Sequence, residues 1–307
     1  MTHASFTDLF MSLNPAQKEA VENIEGPVMV VAGPGTGKTQ ILAARIANIL
    51  IKTDTSPYQI LCLTYTDAGV VAMRERLIKF IGPAAYRVHI HTFHSLCNEI
   101  IQFNGSYFGY KNLQPATDLD VYRIIREMID ELPDNSVLKR LKGEVYYDAY
   151  DFRNLFDIMK KEDFPPEDIK AKADKYLQDR EDNGDFTYKV NGKSFRKGDR
   201  KEKDYQDEKL KVERLKAAVD QFAVYNAKMT ARKLYDFSDM ILWVLKAFRE
   251  DKNFLLNYQE RYLYVLVDEF QDTNGAQLEL VNYLTEYWEI PNLFVVGDDD
   301  QSIYRFQ

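Results

Sequence analysis

The stretch AGPGTGKT, residues 32–39, constrains the fold of this chain more than any other feature. An apolar run precedes it and a segment with helical apolar spacing follows it, which is the context of a phosphate-binding loop. Gly33, Gly35 and Gly37 can adopt φ > 0, so that successive N–H groups point at one anion. The following helix would add the positive end of its dipole. The alternative is a glycine-rich strand-to-helix turn that binds nothing.

Within this loop, we expect Lys38 to reach the β- and γ-phosphates of a nucleotide and the Thr39 hydroxyl to ligate Mg²⁺. The strict pattern has glycine where this chain has Ala32. The loop positions predicted to bind nucleotide are Ala32, Gly33, Pro34, Gly35, Thr36, Gly37, Lys38, Thr39 and Gln40.

Short apolar runs alternate with longer amphipathic segments towards both ends of the chain. Because these runs are continuous rather than alternating, they predict buried strands of a parallel sheet with helices on both faces, an α/β fold. Helical spacing predicts helices over residues 39–51 and 68–81, and Gly82 and Pro83 would stop the second one. The predicted strands are residues 28–32, 60–65, 88–93, 262–267 and 293–296.

The middle of the chain breaks this rhythm, being charged, rich in tyrosine and mostly helical in pattern. We interpret residues 106–229 as a helical subdomain inserted into an α/β domain made of residues 1–105 and 230–307. Glycines and mixed charge in residues 191–206 predict an exposed loop. The basic run from Lys189 to Lys216 fits either a solvated face or a surface that contacts duplex phosphates.

Composition narrows the class of protein. A net charge of −8 argues against a general nucleic-acid coat, although a local basic groove remains compatible with it. Cys62 and Cys97 lie in apolar segments and are expected to be reduced core thiols. Neither a secretion signal nor an apolar stretch of membrane length is present in the sequence, so we expect a soluble, cytoplasmic protein without membrane partners.

A second motif, VLVDEFQDTN, occupies residues 265–274. Asp268 and Glu269 close an apolar strand, at the edge where parallel sheets bind their ligands. We expect Asp268 to hold Mg²⁺ through water and Glu269 to act as the base for an attacking water. Two adjacent surface carboxylates are the alternative. Together with the glycine-rich loop, this motif predicts a nucleoside triphosphatase.

Seven motifs follow one another in the order found in superfamily 1 helicases. They are LNPAQKEAV (13–21), AGPGTGKT (32–39), LTYTDAG (63–69), IHTFHSL (90–96), YDFSDMI (235–241), VDEFQDTN (267–274) and GDDDQSIYRFQ (297–307). In these residues the chain resembles the UvrD/PcrA/Rep group of DNA helicases. The resemblance implies a RecA-like first motor domain with a helical insertion, ATP and Mg²⁺ as cofactors, and 3′-to-5′ movement on DNA in repair or replication. The implied partners are single-stranded DNA and junctions of single-stranded with duplex DNA.

The resemblance also implies roles for individual side chains. Gln17 would read the adenine edge, Gln271 would link the nucleotide to the DNA groove, and Gln301 would sense the γ-phosphate as part of the catalytic set with Lys38 and the acidic pair. The residues implied to line the single-strand path are Tyr65, Thr92, His94, Tyr304 and Phe306.

Five positions, within or beside three of the motifs, depart from the family pattern. Asp67 and Ala68 stand where the family has an asparagine and a basic residue that contacts a phosphate of the strand, and Asp67 would repel DNA there. Gln40 stands where relatives often have arginine, and Phe306 with Gln307 stands where they often have tryptophan and arginine. Phenylalanine can still stack on a base, with less surface.

The last motif is expected to touch both ligands. Asp298 and Gln301 would face the nucleotide and Phe306 the DNA, so that a shift of Gln301 would move Tyr304 and Phe306. The second motor domain that follows in the family, with its catalytic arginines, is not within these residues. We therefore expect this chain to bind ATP, hydrolyse it poorly and leave duplex DNA unwound.

Further features leave alternatives open. His89 and His91 would share one strand face, but the sequence shows no cysteine or carboxylate at ligand spacing, so we expect no metal there. Asp236 and Asp239 are expected to be a cap and a structural pair rather than catalytic. Two other functions fit the motifs: a helicase module of a helicase–nuclease, and a nucleotide-gated DNA-binding protein without motor activity.

Overall fold

A computed structural model describes residues 3–109, 112–139, 143–192 and 194–298. Its strands are β1 (Val28–Val31), β2 (Ile60–Thr64), β3 (His89–Thr92), β4 (Gln114–Pro115), β5 (Leu234–Tyr235), β6 (Tyr264–Val267) and β7 (Leu293–Gly297). Its helices are α1 (His3–Met11), α2 (Pro15–Glu22), α3 (Lys38–Lys52), α4 (Asp67–Ile81), α5 (Phe93–Phe103), α6 (Gly105–Phe108), α7 (Asp118–Asp130), α8 (Ala149–Lys161), α9 (Pro166–Asp182), α10 (Glu202–Ala231), α11 (Phe237–Glu250), α12 (Lys252–Arg261) and α13 (Gly275–Thr285). Among the helices in these ranges, none combines the length and the apolar character needed to cross a membrane.

The described residues divide into two compact units. The first unit takes residues 3–109 and 239–298, and the second takes residues 112–238. The borders lie a few residues beyond the expected positions 105 and 230. The second border is displaced because β5 pairs in parallel with β4, Gln114 opposite Leu234, which keeps β5 in the second unit.

The first unit contains the predicted five-stranded parallel sheet, in the order β1-β7-β6-β2-β3. Side chains alternate between the two faces of a strand. Cys62 and Leu266 belong to a core that includes α3 and α4, whereas their neighbours Leu61 and Val265 are equally buried outside that core. On the second face, α13 packs against β6. Because both faces of the central strands are covered, the continuous apolar runs predicted this layered arrangement correctly.

Strand β1 departs from the prediction of a fully buried strand. The side chains of Met29 and Val31 are 68% and 64% exposed, whereas Val28 and Val30 pack against the core. The reason is position: β1 pairs only with β7 and forms one edge of the described sheet. An apolar run therefore does not distinguish an edge strand from a central one.

The predicted helices after β1 and β2 are confirmed as α3 and α4. Helix α4 ends at Ile81, and Gly82 adopts a φ of 59° there, in agreement with the predicted stop. Helix α3 begins at Lys38 directly after Gly37, whose φ is 86°. The carboxyl ends of β1, β6 and β7 lie at one edge of the sheet, because the three strands are parallel neighbours.

The second unit is helical around a separate apolar core. Ile125 of α7, Phe156 of α8 and Val219 of α10 belong to this core and are each at most 2% exposed. An ion pair joins the buried Lys160 to the half-buried Asp236, with 2.6 Å between Nζ and Oδ2, as expected for a structural Asp236. The predicted loop over residues 191–206 is wrong at its end, because α10 begins at Glu202.

Several basic side chains between Lys189 and Lys216 form ion pairs with carboxylates of the second unit. Arg200 pairs with Glu181 at 2.8 Å, and Lys211 pairs with Glu208 at 3.0 Å. Two further pairs in this unit are Arg214 with Asp148 at 2.9 Å and Lys216 with Asp174 at 2.8 Å. Since neighbouring carboxylates neutralise these cations, the pairs favour a solvated face over a duplex-binding one.

Candidate nucleotide site

The glycine-rich loop turns sharply between β1 and α3. Gly35 has a φ of 73° and Gly37 a φ of 86°, backbone conformations that residues with a Cβ rarely adopt. The expectation of a positive φ at Gly33 is wrong. A Cβ at Gly33 would meet only ordinary contacts, the Asp298 carboxylate and the Thr36 methyl, each at 4.0 Å. Two glycines, rather than three, therefore supply the left-handed backbone of the loop.

Hydrogen bonds hold the loop in place from both sides. The Thr36 hydroxyl donates to the Gly33 carbonyl at 2.7 Å, which closes the turn on itself. The side chain of Gln17 donates from Nε2 to the Thr36 carbonyl at 2.8 Å, and its Oε1 accepts the Asn14 N–H at 2.9 Å. Gln17 thus connects the start of α2 to the loop, a contact that the motif alone did not indicate. Its contact with adenine stays a prediction.

The remaining loop residues differ in exposure. Lys38 is buried at the first position of α3, whereas Thr39 and Gln40 are half-buried. The Ala32 N–H donates to the Gly297 carbonyl at 2.8 Å, which fixes the loop to the end of β7. Exposed residues at the tip of the loop are Pro34, Gly35 and Thr36. The tip is therefore accessible, while the lysine projects from the first turn of α3.

The acidic pair meets the lysine at the same edge of the sheet. Glu269 Oε2 lies 3.0 Å from Lys38 Nζ, and the side-chain exposures are 37% and 9%. Glu269 adopts a left-handed backbone, with φ 50° and ψ 47°, which is uncommon for a residue with a side chain. Its N–H donates to Asp268 Oδ1 at 3.0 Å. The structure thus brings together two segments more than 200 residues apart in the sequence, Lys38 and Asp268–Glu269.

Burial controls the ionisation of Asp268, which is only 6% exposed. Burial raises the pKa of Asp268 from 3.8 to about 6, and the nearby Glu269 carboxylate adds to the rise, while Lys38 opposes it. The pKa of Asp272 is raised for the same two reasons. An added cation beside Asp268 would favour its ionised form, since opposite charge stabilises a carboxylate. Thr39 and Asp268 offer the hard oxygen ligands that Mg²⁺ prefers.

Gln271 links the ends of two strands. Its Nε2 donates to Glu269 Oε2 at 2.9 Å, and its Oε1 accepts the Asp298 N–H at 3.0 Å. A Cβ at Gly297 would lie only 2.7 Å from that Oε1, so glycine is required there for the close approach. The side chain of Glu269 is therefore oriented by the residues that follow β7.

The residues predicted to line a DNA path have different environments. Tyr65 follows β2 and is 52% exposed, so its ring is accessible. Thr92 is buried, and its Oγ1 accepts the Ser95 N–H at 3.1 Å as the cap of α5. His94, in the first turn of that helix, is half-buried. Asp67 lies in the first turn of α4, where its negative charge interacts favourably with the positive end of the helix dipole and stabilises the helix. Gln301, Tyr304 and Phe306 lie outside the described residues.

The histidines of β3 have an acidic neighbour, contrary to the expectation from sequence. Glu99 of α5 places Oε2 at 3.6 Å from His91 Nε2. Arg261, at the end of α12, contacts His89 Nε2 at 3.1 Å. Burial lowers the pKa of His89 to about 4, and the positive charge of Arg261 is the next largest cause. Burial also lowers the pKa of His91. Sequence reasoning missed Glu99 because it compared spacings along the strand and not along the helix that follows.

Comparisons with known proteins agree with this architecture. A family model described as the UvrD/REP helicase N-terminal domain matches residues 13–307. The ATP-dependent DNA helicase PcrA of Bacillus subtilis (strain 168) is 33% identical over 301 residues, which cover 97% of this chain and 34% of that protein. PcrA of Staphylococcus aureus (strain Mu50 / ATCC 700699) is 30% identical over 300 residues, which cover 97% of this chain and 35% of that protein. The chain spans about a third of the length of these curated relatives. The phosphate loop, the acidic pair and the match over nearly all residues lead to one conclusion: the chain belongs to the UvrD/REP helicase N-terminal domain family.

Proposed function

We propose that this chain binds ATP with Mg²⁺ and hydrolyses it, as the ATPase part of a DNA helicase or translocase. The observation that carries the proposal is the 3.0 Å contact between Lys38 Nζ and Glu269 Oε2. It supports a single site in which the group that binds phosphate and the group that activates water act on one triphosphate. The resemblance further supports 3′-to-5′ movement on single-stranded DNA and action at duplex junctions.

In this proposal the loop and the helix end bind the phosphates. The left-handed Gly35 and Gly37 direct backbone N–H groups towards the anion, and the start of α3 contributes its positive dipole end. Lys38 exchanges its contact with Glu269 for the β- and γ-phosphates. The carboxylate that is released is then free to accept a proton from water. The binding of ATP would thereby prepare the base that hydrolyses it.

Thr39 and Asp268 are the residues that would hold Mg²⁺. When bound, the ion neutralises charge that develops on the phosphate oxygens. Asp268 is suited to this role because it is buried beside Lys38 at the end of β6, and a cation there offsets the burial that raises its pKa. Gln271 would keep Glu269 oriented through its second hydrogen bond to the Asp298 N–H.

The proposed DNA surface follows the carboxyl ends of β2 and β3. Tyr65 presents an accessible ring, and stacking of a base on an aromatic side chain contributes roughly 1–3 kcal/mol whatever the base. The similar proteins of Bacillus subtilis and Staphylococcus aureus are named DNA helicases, which supports DNA as the partner. The Thr92 hydroxyl already caps α5. Thr92 is therefore assigned to this surface only by its position at the start of that helix.

The test is hydrolysis of radiolabelled ATP under single-turnover conditions, with protein in excess and oligo(dT) present or absent. We expect Glu269→Gln to lower the rate by about 100-fold or more, since a general base contributes typically 10²–10⁴-fold. Tyr65→Ala should weaken binding to oligo(dT) by about tenfold while leaving hydrolysis without DNA unchanged. Equal hydrolysis by wild type and Glu269→Gln would refute the ATPase proposal. Unchanged oligo(dT) affinity in Tyr65→Ala would refute the DNA surface alone.

A further inference from the structure

A cluster of metal-ligating side chains lies on strand β3 and the helix that follows it. His89 and His91 are two residues apart and project from the same face, with ring centroids 5.8 Å apart and planes within 19°. Glu99 lies on α5, which begins directly after β3, so that the helix returns its carboxylate to the histidines. His91 Nε2 and Glu99 Oε2 are 3.6 Å apart. All three side chains are half-buried.

The spacing of these ligand atoms is close to what a small divalent ion requires. One nitrogen or oxygen from each residue lies within 4.8 Å of the others. With bonds of about 2.0–2.2 Å in a tetrahedral site, two ligand atoms are roughly 3.4 Å apart. His91 and Glu99 are already near that separation, and small side-chain rotations would bring in His89. Two imidazoles and a carboxylate form a donor set typical of Zn²⁺ and related transition metals, and three protein ligands leave a fourth position for water.

Arg261 places a positive charge beside two of these side chains, His89 and Glu99. Its Nη2 lies 3.1 Å from His89 Nε2 and 3.9 Å from Glu99 Oε1. A guanidinium carries no lone pair that it could donate, so His89 Nε2 must accept this contact through its own lone pair. The side chain of Arg261 is 38% exposed at the end of α12, so it can turn outward into water. Arg261 and a metal ion would therefore compete for the same electron pairs.

We propose that His89, His91 and Glu99 form a binding site for a divalent transition-metal ion, with Arg261 as the competing internal cation. The bound ion joins the edge strand β3 to α5 and displaces the guanidinium into solvent. The first turn of α5 carries His94 and follows Thr92, so metal binding would fix the segment assigned above to the DNA surface. The metal site itself does not depend on that assignment.

The experiment is a titration of the metal-free 307-residue chain, without nucleotide, using Co²⁺ absorption and Zn²⁺ calorimetry. We expect one ion per chain, with the visible absorption of low-coordinate Co²⁺. His91→Ala and Glu99→Gln should each weaken Zn²⁺ binding by about 100-fold or more. Arg261→Ala should strengthen it by about tenfold or more, because removing a unit charge about 4 Å away relieves strong repulsion. His94→Ala, a neighbouring histidine outside the cluster, and Asp268→Asn, at the nucleotide site, should leave it unchanged.

Several outcomes would overturn the inference. These are the absence of one-to-one Zn²⁺ binding by wild type, the same affinity in His91→Ala and Glu99→Gln, or loss of binding in Asp268→Asn. Weaker rather than stronger binding in Arg261→Ala would overturn its role as competitor. X-ray absorption of the Zn²⁺-loaded wild type provides a test that needs no variant. Two imidazoles in the first shell support the site, and a shell of oxygen atoms alone contradicts it.

Discussion

The buried carboxylate of Asp268 is predicted to destabilise the first unit at neutral pH, so Asp268→Asn should be more stable than wild type. The cause is burial, which with Glu269 raises the pKa of Asp268 from 3.8 to about 6. Asparagine retains the oxygen that accepts the Glu269 N–H and carries no charge. The substitution therefore removes the cost of a buried ion while keeping its hydrogen bond.

The magnitude and its pH dependence follow from the two pKa values. Near pH 3 and below, the carboxyl is protonated in both the folded and the unfolded chain and has no effect. Between pH 4 and 6 the folded chain binds a proton that the unfolded chain releases, so the free energy of unfolding falls as pH rises. Above pH 6 the full difference remains, roughly 3 kcal/mol at about 1.4 kcal/mol per pH unit. The advantage of Asp268→Asn should shrink to about 1 kcal/mol near pH 4.5.

The assay is urea unfolding at several pH values between 4.5 and 8, followed by tryptophan fluorescence. Both tryptophans of the chain, Trp243 and Trp288, lie in the first unit, so the signal reports the unit that contains Asp268. Asp54→Asn removes an equal charge at an exposed position and serves as the control. If Asp268→Asn gains no stability at pH 8, or gains the same amount at every pH, the explanation by burial is wrong.

Two further substitutions test packing in each unit. Gly69→Ala should destabilise the first unit by about 1–3 kcal/mol, because the new Cβ would lie 2.4 Å from Thr64 Oγ1; Thr64→Ala should restore part of the loss in urea unfolding. Asp236→Ala should destabilise the second unit by about 3 kcal/mol, since it removes the carboxylate at 2.6 Å from the buried Lys160. Hydrogen exchange in α8 measures that loss of stability. The double variant Asp236→Ala with Lys160→Met should lose less, because no lysine is then left buried without a partner. An Asp236→Ala variant as stable as wild type would contradict the role of the pair.

The layered sheet could be predicted because its cause is local in the sequence. Strands such as β2 and β6 are buried on both faces, so nearly every residue is apolar and the run is visible in the sequence without knowledge of the neighbouring strands. The polar residues at the strand ends were found for the same reason: Asp268 interrupts an apolar run where the sheet ends. Lys38 and Glu269 each come shortly after a strand of a parallel sheet, so the sequence predicts that both lie at the edge formed by the carboxyl ends of the strands.

Other features depend on contacts between distant residues and leave no local signal. Arg45 lies within α3 and is 1% exposed, because its guanidinium donates to the Ala20 carbonyl at 2.7 Å and covers the Phe294 ring at 4.5 Å. The exposure of Met29 depends on which strand forms the edge of the sheet. Arg261 joins the histidine cluster from a helix that lies more than 150 residues further along the chain.

The central claim is that Lys38 and Glu269 act on the same triphosphate, and the affinity for a fluorescent ATP analogue tests it most directly. Lys38→Ala should lose binding by about 100-fold, because it removes the cation that reaches the phosphates. Glu269→Gln should instead bind the analogue several-fold more tightly, since no carboxylate then competes for Lys38 at 3.0 Å. Opposite shifts in the two variants are the predicted result. Unchanged affinity in Lys38→Ala, or weaker binding in Glu269→Gln, would contradict the account.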